Sequence, residues 1–141
     1  MEKNIKLYTM KETCNLTNLT YDTLKYYCNE GLVPNVKRDK SNYRVFDDND
    51  VNWIKNLSCL KKCGMSILEM KEYINLCLEG KSSIPKRQKI LDNKLIELES
   101  KKKEIQDSID FVNWKQNFYK DVLNGKEKYF SYLKPNENDD K

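Results

Sequence analysis

The residues of this chain best suited to chemistry are its thiols, its few arginines and one run of hydroxyls around a lysine. Five cysteines stand at Cys14, Cys28, Cys59, Cys63 and Cys77, an odd number scattered without a pairing pattern. Thiolates can hold a soft metal or react with an oxidant. Cys59 and Cys63, four residues apart, could offer two such ligands from one helix face, but a closed site would need further ligands from elsewhere. The competing reading makes them small apolar residues between two packed helices. The chain contains no histidine. That removes the commonest general base and the commonest zinc ligand, which weighs against an enzyme and against a metal centre. The opening "MEKNIKLYTM" has no apolar signal core, and no apolar run approaches the roughly 20 residues that cross a bilayer. The expectation is a cytoplasmic protein with reduced thiols and no membrane partner.

Basic residues number 26 against 22 acidic ones, a net charge of +4. This balance is compatible with nucleic acid and does not demand it, because phosphate binding depends on where the cations sit. All the basic residues but Arg38, Arg44 and Arg87 are lysine. Arginine is the better fork for phosphates and guanine edges, so each one matters. The hydroxyl run is "TYDTLKYYCNEGLV", residues 20–33, where Thr20, Tyr21, Asp22, Lys25, Tyr26 and Tyr27 crowd one short polar segment. Tyrosine hydroxyls and lysine ammonium groups in such a segment suit phosphate contact.

Elements of a definite kind must position these groups. Thr9, with Glu12 three residues on, has the capping-box pattern that opens a helix in residues 7–17. Asn18 tolerates the left-handed backbone of a tight turn, Thr20 can cap a second helix to about Glu30, and Gly31 suits its C′ position. Helix, short turn and helix of this size outline a helix-turn-helix. Val36 and "YRVF" flank the turn-rich "RDKSN" and predict a β-hairpin, closed by Asn42 with positive φ. Asp47 to Asp50 can cap a third helix carrying Val51, Ile54, Leu57 and Leu60, stopped by Gly64. Ser66 and Glu69 form a box for a fourth helix with Ile67, Met70, Ile74 and Leu78 on one face.

After "GKSSIPK" the pattern becomes a seven-residue repeat. Ile84, Leu91, Leu98, Ile105, Val112 and Tyr119 take one seam position, and Leu95, Ile109 and Leu123 the other. Lys102 and Gln116 break the pattern, with Gln88 a softer misfit. Such heptads predict a coiled coil of roughly 50 Å at 1.5 Å per residue, and a helix that long needs a partner to bury its seam. The alternative is a helix folded back on the N-terminal domain. Three segments result: a DNA-binding-type domain over 1–80, a dimerisation helix over 81–123, and a short segment over 124–141 expected to lose order from about Pro135.

In unbroken order, "YTMKETCNLTNLTYDTLKYYCNEGLVPNVKRDKSNYRVFDDNDVNWIKNLSCLKKCGMSILEMKEYI" resembles the N-terminal domain of MerR-type transcriptional regulators. The landmarks are "TLKYY", "EGL", "YRVF", "CGMSI" and the long helix behind them. The resemblance implies a mainly α fold: a winged helix-turn-helix domain with a small hairpin wing, then a long helix forming an antiparallel coiled coil. One of Tyr26 and Tyr27 would touch the DNA backbone and the other pack inward; about 100° apart on a helix, they cannot point the same way. Lys25 would sit on a phosphate or guanine edge, and Tyr21 or Asp22 near base edges. The family often carries arginine where Asp22 stands, and a carboxylate there would instead accept from a cytosine amine. In the wing, Arg44 would reach the DNA backbone or minor groove, with Tyr43 and Arg38 beside it. A salt bridge from Arg44 to Asp47 or Asp48, and hairpin core for Tyr43 and Phe46, are the competing assignments. Lys61 and Lys62 resemble positions some members use for phosphate and equally suit a solvated face.

Metal-sensing members place cysteines at the start of the long helix and in the loop after it. Here the start reads Ser82, Ser83, Ile84, and no cysteine follows Cys77, so no cofactor or metal is expected. Residues 119–141 are too few for the ligand domain of multidrug-sensing members. Short members are the better match, and Cys63, beside Lys61 and Lys62, is the candidate if a thiol senses anything. The resemblance implies a homodimer joined through Leu91, Leu95, Leu98, Ile105, Ile109 and Val112. Its partner would be double-stranded promoter DNA, distorted between hexamers so that RNA polymerase is engaged indirectly through the DNA. Two rivals remain: an architectural or recombination-directionality factor with the same winged domain, and a coiled-coil adaptor that binds protein.

Overall fold

The computed structural model of the chain describes residues 4–134. The expectation for the tail from Pro135 concerns residues outside that range. Two compact units divide between Leu95 and Ile96. The N-terminal unit therefore runs past residue 80, and the boundary falls inside a helix.

The order of elements in the N-terminal unit follows from its caps. Helix α1 (Met10–Thr17) starts where the predicted N-cap Thr9, boxed with Glu12, places it, so Leu7 and Tyr8 of the run 7–17 precede the helix. Asn18 closes it with φ 60°, and the turn leads into α2 (Tyr21–Asn29), capped by Thr20. Gly31 takes φ +76° just beyond, a conformation costly for a residue with a Cβ. Strands β1 (Lys37–Arg38) and β2 (Arg44–Val45) pair antiparallel, with Lys37 opposite Val45 and Arg38 opposite Arg44. Val36 lies outside the strand, its N–H bonded to Val33 in a turn. Asn42 has the positive φ, 67°, that the hairpin turn requires. Tyr8 and Phe46 exchange backbone hydrogen bonds of 2.7 and 2.9 Å, so the segment before α1 extends the wing by one bridge.

Helix α3 (Asp48–Lys62) is boxed by Asp47 and Asp50, and α4 (Ile67–Glu79) by Ser66 and Glu69. α1 packs against α2 and α3, and α3 against α4. Their shared core holds Leu24, Tyr27, Leu32, Val33, Phe46, Ile54, Leu57, Met65, Met70 and Ile74, each worth roughly 1.5–3 kcal/mol for a large apolar side chain taken from water. The Trp53 indole N–H donates to the Leu32 carbonyl at 2.8 Å, tying α3 to the segment after α2. Leu78 departs from its predicted face: it is exposed at the end of α4, lining an open slot with Pro34, Trp53 and Cys77.

A 3-10 turn (Lys81–Ser83) leads into α5 (Ile84–Leu123), a single helix of 40 residues. Arg87 sets the junction. Its guanidinium donates to the Gly80 carbonyl at 2.8 Å and to Ser83 Oγ at 3.0 Å, while Ser83 Oγ donates to the carbonyls of Gly80 and Leu76. Ile90 packs on the core, and Lys94, buried, meets Glu69 at 2.8 Å. Within the N-terminal unit, Arg87, Ile90 and Lys94 thus form a stripe that ties the start of α5 to α4 and the core, distinct from the heptad seam. In the second unit the seam residues Ile105, Ile109 and Val112 are exposed along one groove. Beyond Leu123, Phe130 contacts Phe118 and Tyr132 edge-on.

Candidate nucleic-acid interface

Helix α2 has two unlike faces. Leu24 and Tyr27 point into the core, Tyr27 being 2% exposed, whereas Tyr26 is 48% exposed. This answers which tyrosine faces outward. Asp22, Lys25, Tyr26 and Asn29 recur at helical spacing on the solvent side, with Tyr21 exposed at the start. Thr20 holds that start: its hydroxyl oxygen accepts from the Thr23 N–H at 3.2 Å and donates to Thr23 Oγ1 at 2.9 Å. Asp22, Tyr26 and Lys61 border one groove of about 470 Å³ with Ser66 and Ile67, so the end of α3 and the start of α4 lie beside α2. Lys62 is exposed next to Lys61.

The wing sorts its cations by partner. Lys37 is taken up by carboxylates, with Asp47 at 3.0 Å and Asp50 at 3.2 Å, and its pKa is raised chiefly by the hydrogen bond to Asp47. Asp47 is held below the usual carboxylate range, first by the Asp50 N–H and then by Lys37. Arg38 donates to the Asn42 carbonyl at 2.8 Å, and Arg44 donates to Asn29 Oδ1 at 2.6 Å. The predicted alternative for Arg44, a bridge to Asp47 or Asp48, is not what forms: Asp47 binds Lys37, and Asp48 accepts from the Tyr8 hydroxyl at 2.7 Å. Tyr43 is 71% exposed and so is not hairpin core, while Phe46 is fully buried.

Arg87 serves the α4–α5 junction, leaving Arg38 and Arg44 as the wing's guanidiniums. Asn29 and Lys37 escaped the sequence reading. Asn29 had one available signal, its place three and four residues beyond Tyr26 and Lys25 on the outer face. The thiols are free. Cys59 is exposed rather than packed between helices, and Cys63, partly buried, is the C-cap of α3. Burial pushes the Cys14 and Cys28 thiols up.

A two-helix turn with an exposed second helix, flanked by a hairpin carrying two arginines, defines a winged helix-turn-helix protein of the nucleic-acid-binding kind. Residues 8–77 match the MerR HTH family regulatory protein model. An uncharacterized HTH-type transcriptional regulator of Haemophilus influenzae is 31% identical over 112 residues, covering 79% of this chain and 83% of that protein. The HTH-type transcriptional regulator AdhR of Bacillus subtilis is 41% identical over 73 residues, 52% of each. Among solved structures, HiNmlR, a MerR family regulator lacking the sensor domain and bound to promoter DNA, superposes with a TM-score of 0.72 at 30% identity, covering 84% of this chain and 94% of that one. The chain belongs to the MerR family of helix-turn-helix transcriptional regulators. No helix of the described residues is long and apolar enough to cross a membrane.

Proposed function

We propose that the protein is a homodimeric regulator that binds promoter DNA inside the cell and acts by deforming it, without catalysis. Residues 1–80 serve as the DNA-binding domain and 81–123 as the dimerisation helix. α2 enters the major groove by its N-terminal end, with Tyr21 and Asp22 toward base edges and Thr20, Lys25 and Tyr26 toward phosphates. Arg44, Arg38 and Tyr43 form the wing contact, and Lys61 and Lys62 extend the phosphate track beside α2. Tyr27 is withdrawn from this set because it is core. The observation that carries the reading is the outward face of α2 set beside two guanidiniums, Arg38 and Arg44, that bond to neutral oxygens.

The seam of Leu91, Leu95, Leu98, Ile105, Ile109 and Val112, exposed but for the half-buried Leu98, supports pairing with a second copy, which brings two recognition helices to one pseudo-palindrome. Bound between promoter hexamers, such a dimer would bend or untwist the spacer and so change how RNA polymerase engages both, the deformation being offset by contact energy. Replacing Arg44 by alanine tests the assignment. Affinity should fall and the slope of log K against log salt should shrink by about 0.9, one phosphate contact. An unchanged slope would remove Arg44 from the interface and favour the adaptor that binds protein.

A further inference from the structure

The three cations on the wing's strands, Lys37, Arg38 and Arg44, differ in what holds them. Lys37 is neutralised by two carboxylates, but Arg38 and Arg44 are held by neutral oxygens, a backbone carbonyl and an amide. A neutral acceptor orients a guanidinium without cancelling its charge. Asn29 is the last residue of α2, and its amide oxygen lies 2.6 Å from Arg44 Nη2, fifteen residues on in β2. The bond therefore joins the end of the recognition helix directly to the wing strand, and through the Arg38–Arg44 register to its neighbour. Both guanidiniums also lie close enough to Cys28, beside Asn29, to pull its thiol down against the effect of burial.

We infer that Asn29 is a positioning residue for DNA recognition: it fixes Arg44, and with it the wing, at a set distance from α2 while leaving the guanidinium's charge whole for phosphate. This deepens the DNA-binding reading above and rests on it. A freely rotating Arg44 would have to be ordered at each binding event, at a cost in side-chain entropy that the Asn29 bond removes beforehand. Asparagine is the fitting type. Aspartate would hold the same geometry and cancel the charge, and alanine would leave the charge and lose the geometry.

The test is a titration of a fluorescent duplex carrying the gene's own upstream region, across a salt series, with melting temperatures taken for every variant. Asn29→Ala should bind about 3- to 10-fold more weakly with its salt slope unchanged, as expected for the loss of one solvent-exposed hydrogen bond. Asn29→Asp should lose about 0.9 from the slope, as Arg44→Ala does. Combined with Arg44→Ala, neither substitution should cause further loss, because both act through that arginine. Wild-type affinity in Asn29→Ala, or losses that multiply in the double variants, would overturn the inference while the wild-type binding still stands. A weakening that follows the melting temperature alone, with Asn29→Asp keeping the full slope, would make Asn29 merely structural and also overturn it. No binding by the wild-type protein at low salt would instead sink the DNA-binding reading and this inference with it.

Discussion

Tyr26 and Tyr27 are neighbours of one chemical type with opposite tasks. Helix geometry predicts that they diverge by about 100°, but not which one turns inward. That depends on where the core lies, and the core is set by Leu24, one turn before Tyr27's side, together with Phe46 and Ile54 from distant segments. Tyr27→Ala should cost about 3–5 kcal/mol in a urea titration, as for other buried aromatics. Tyr26→Phe should stay within about 0.5 kcal/mol of wild type, yet weaken binding to duplex DNA. Equal stability losses from the two would contradict the faces described for α2. The place of Arg44 in the hairpin was legible from "YRVF" beside the turn-rich "RDKSN". Its holder was not, because the Asn29 contact spans a turn and a strand whose relative placement is a tertiary fact.

Local chemistry made the elements readable where a cap was involved. The boxes at Thr9, Asp47 and Ser66, and the positive φ of Asn18 and Asn42, all follow from side chains that satisfy nearby backbone groups. The misses lie where a segment answers to something remote: the bridge from Tyr8 to Phe46 was not foreseen, and Leu78 overhangs the core. Lys94 is the clearest case, since a lysine in a charged helix reads as solvated but here is buried against the N-terminal box of α4. Glu69 serves both elements, accepting from the Ser66 N–H at 3.0 Å and pairing with Lys94. Its carboxyl is held below its usual range, first by the Lys94 hydrogen bond and then by Ser66. A depressed carboxylate contributes stability that is present above its unfolded pKa of about 4.3 and is lost as pH falls through the folded value. Melting temperature should therefore decline in acid from about pH 4.5 downward, and Glu69→Gln should make that decline shallower while lowering stability at neutral pH. An acid limb identical in the variant would mean that the Glu69–Lys94 link does not couple α4 to α5.

At the scale of the whole molecule, the seven-residue repeat on α5 fixes the need for a partner more firmly than any single residue does. Ile105 is 61% exposed in the single chain, and its seam neighbours Ile109 and Val112 share that exposure. Placing carboxylates there by Ile105→Glu with Ile109→Glu should weaken dimerisation by at least about 100-fold, because buried charges without partners cost several kcal/mol. Sedimentation would read this as a monomer, and operator binding should fail with it, while the N-terminal unit keeps its melting transition. A variant that stays dimeric would move the interface elsewhere on the chain. The most direct measurement of the central claim is footprinting of the purified dimer on its own gene's upstream DNA over a range of salt. The account predicts a protected site with two-fold symmetry between the promoter hexamers, enhanced cleavage near its centre where the duplex is deformed, and protection that fades as salt rises. Protection without symmetry outside the promoter, or none even at low salt, would contradict it.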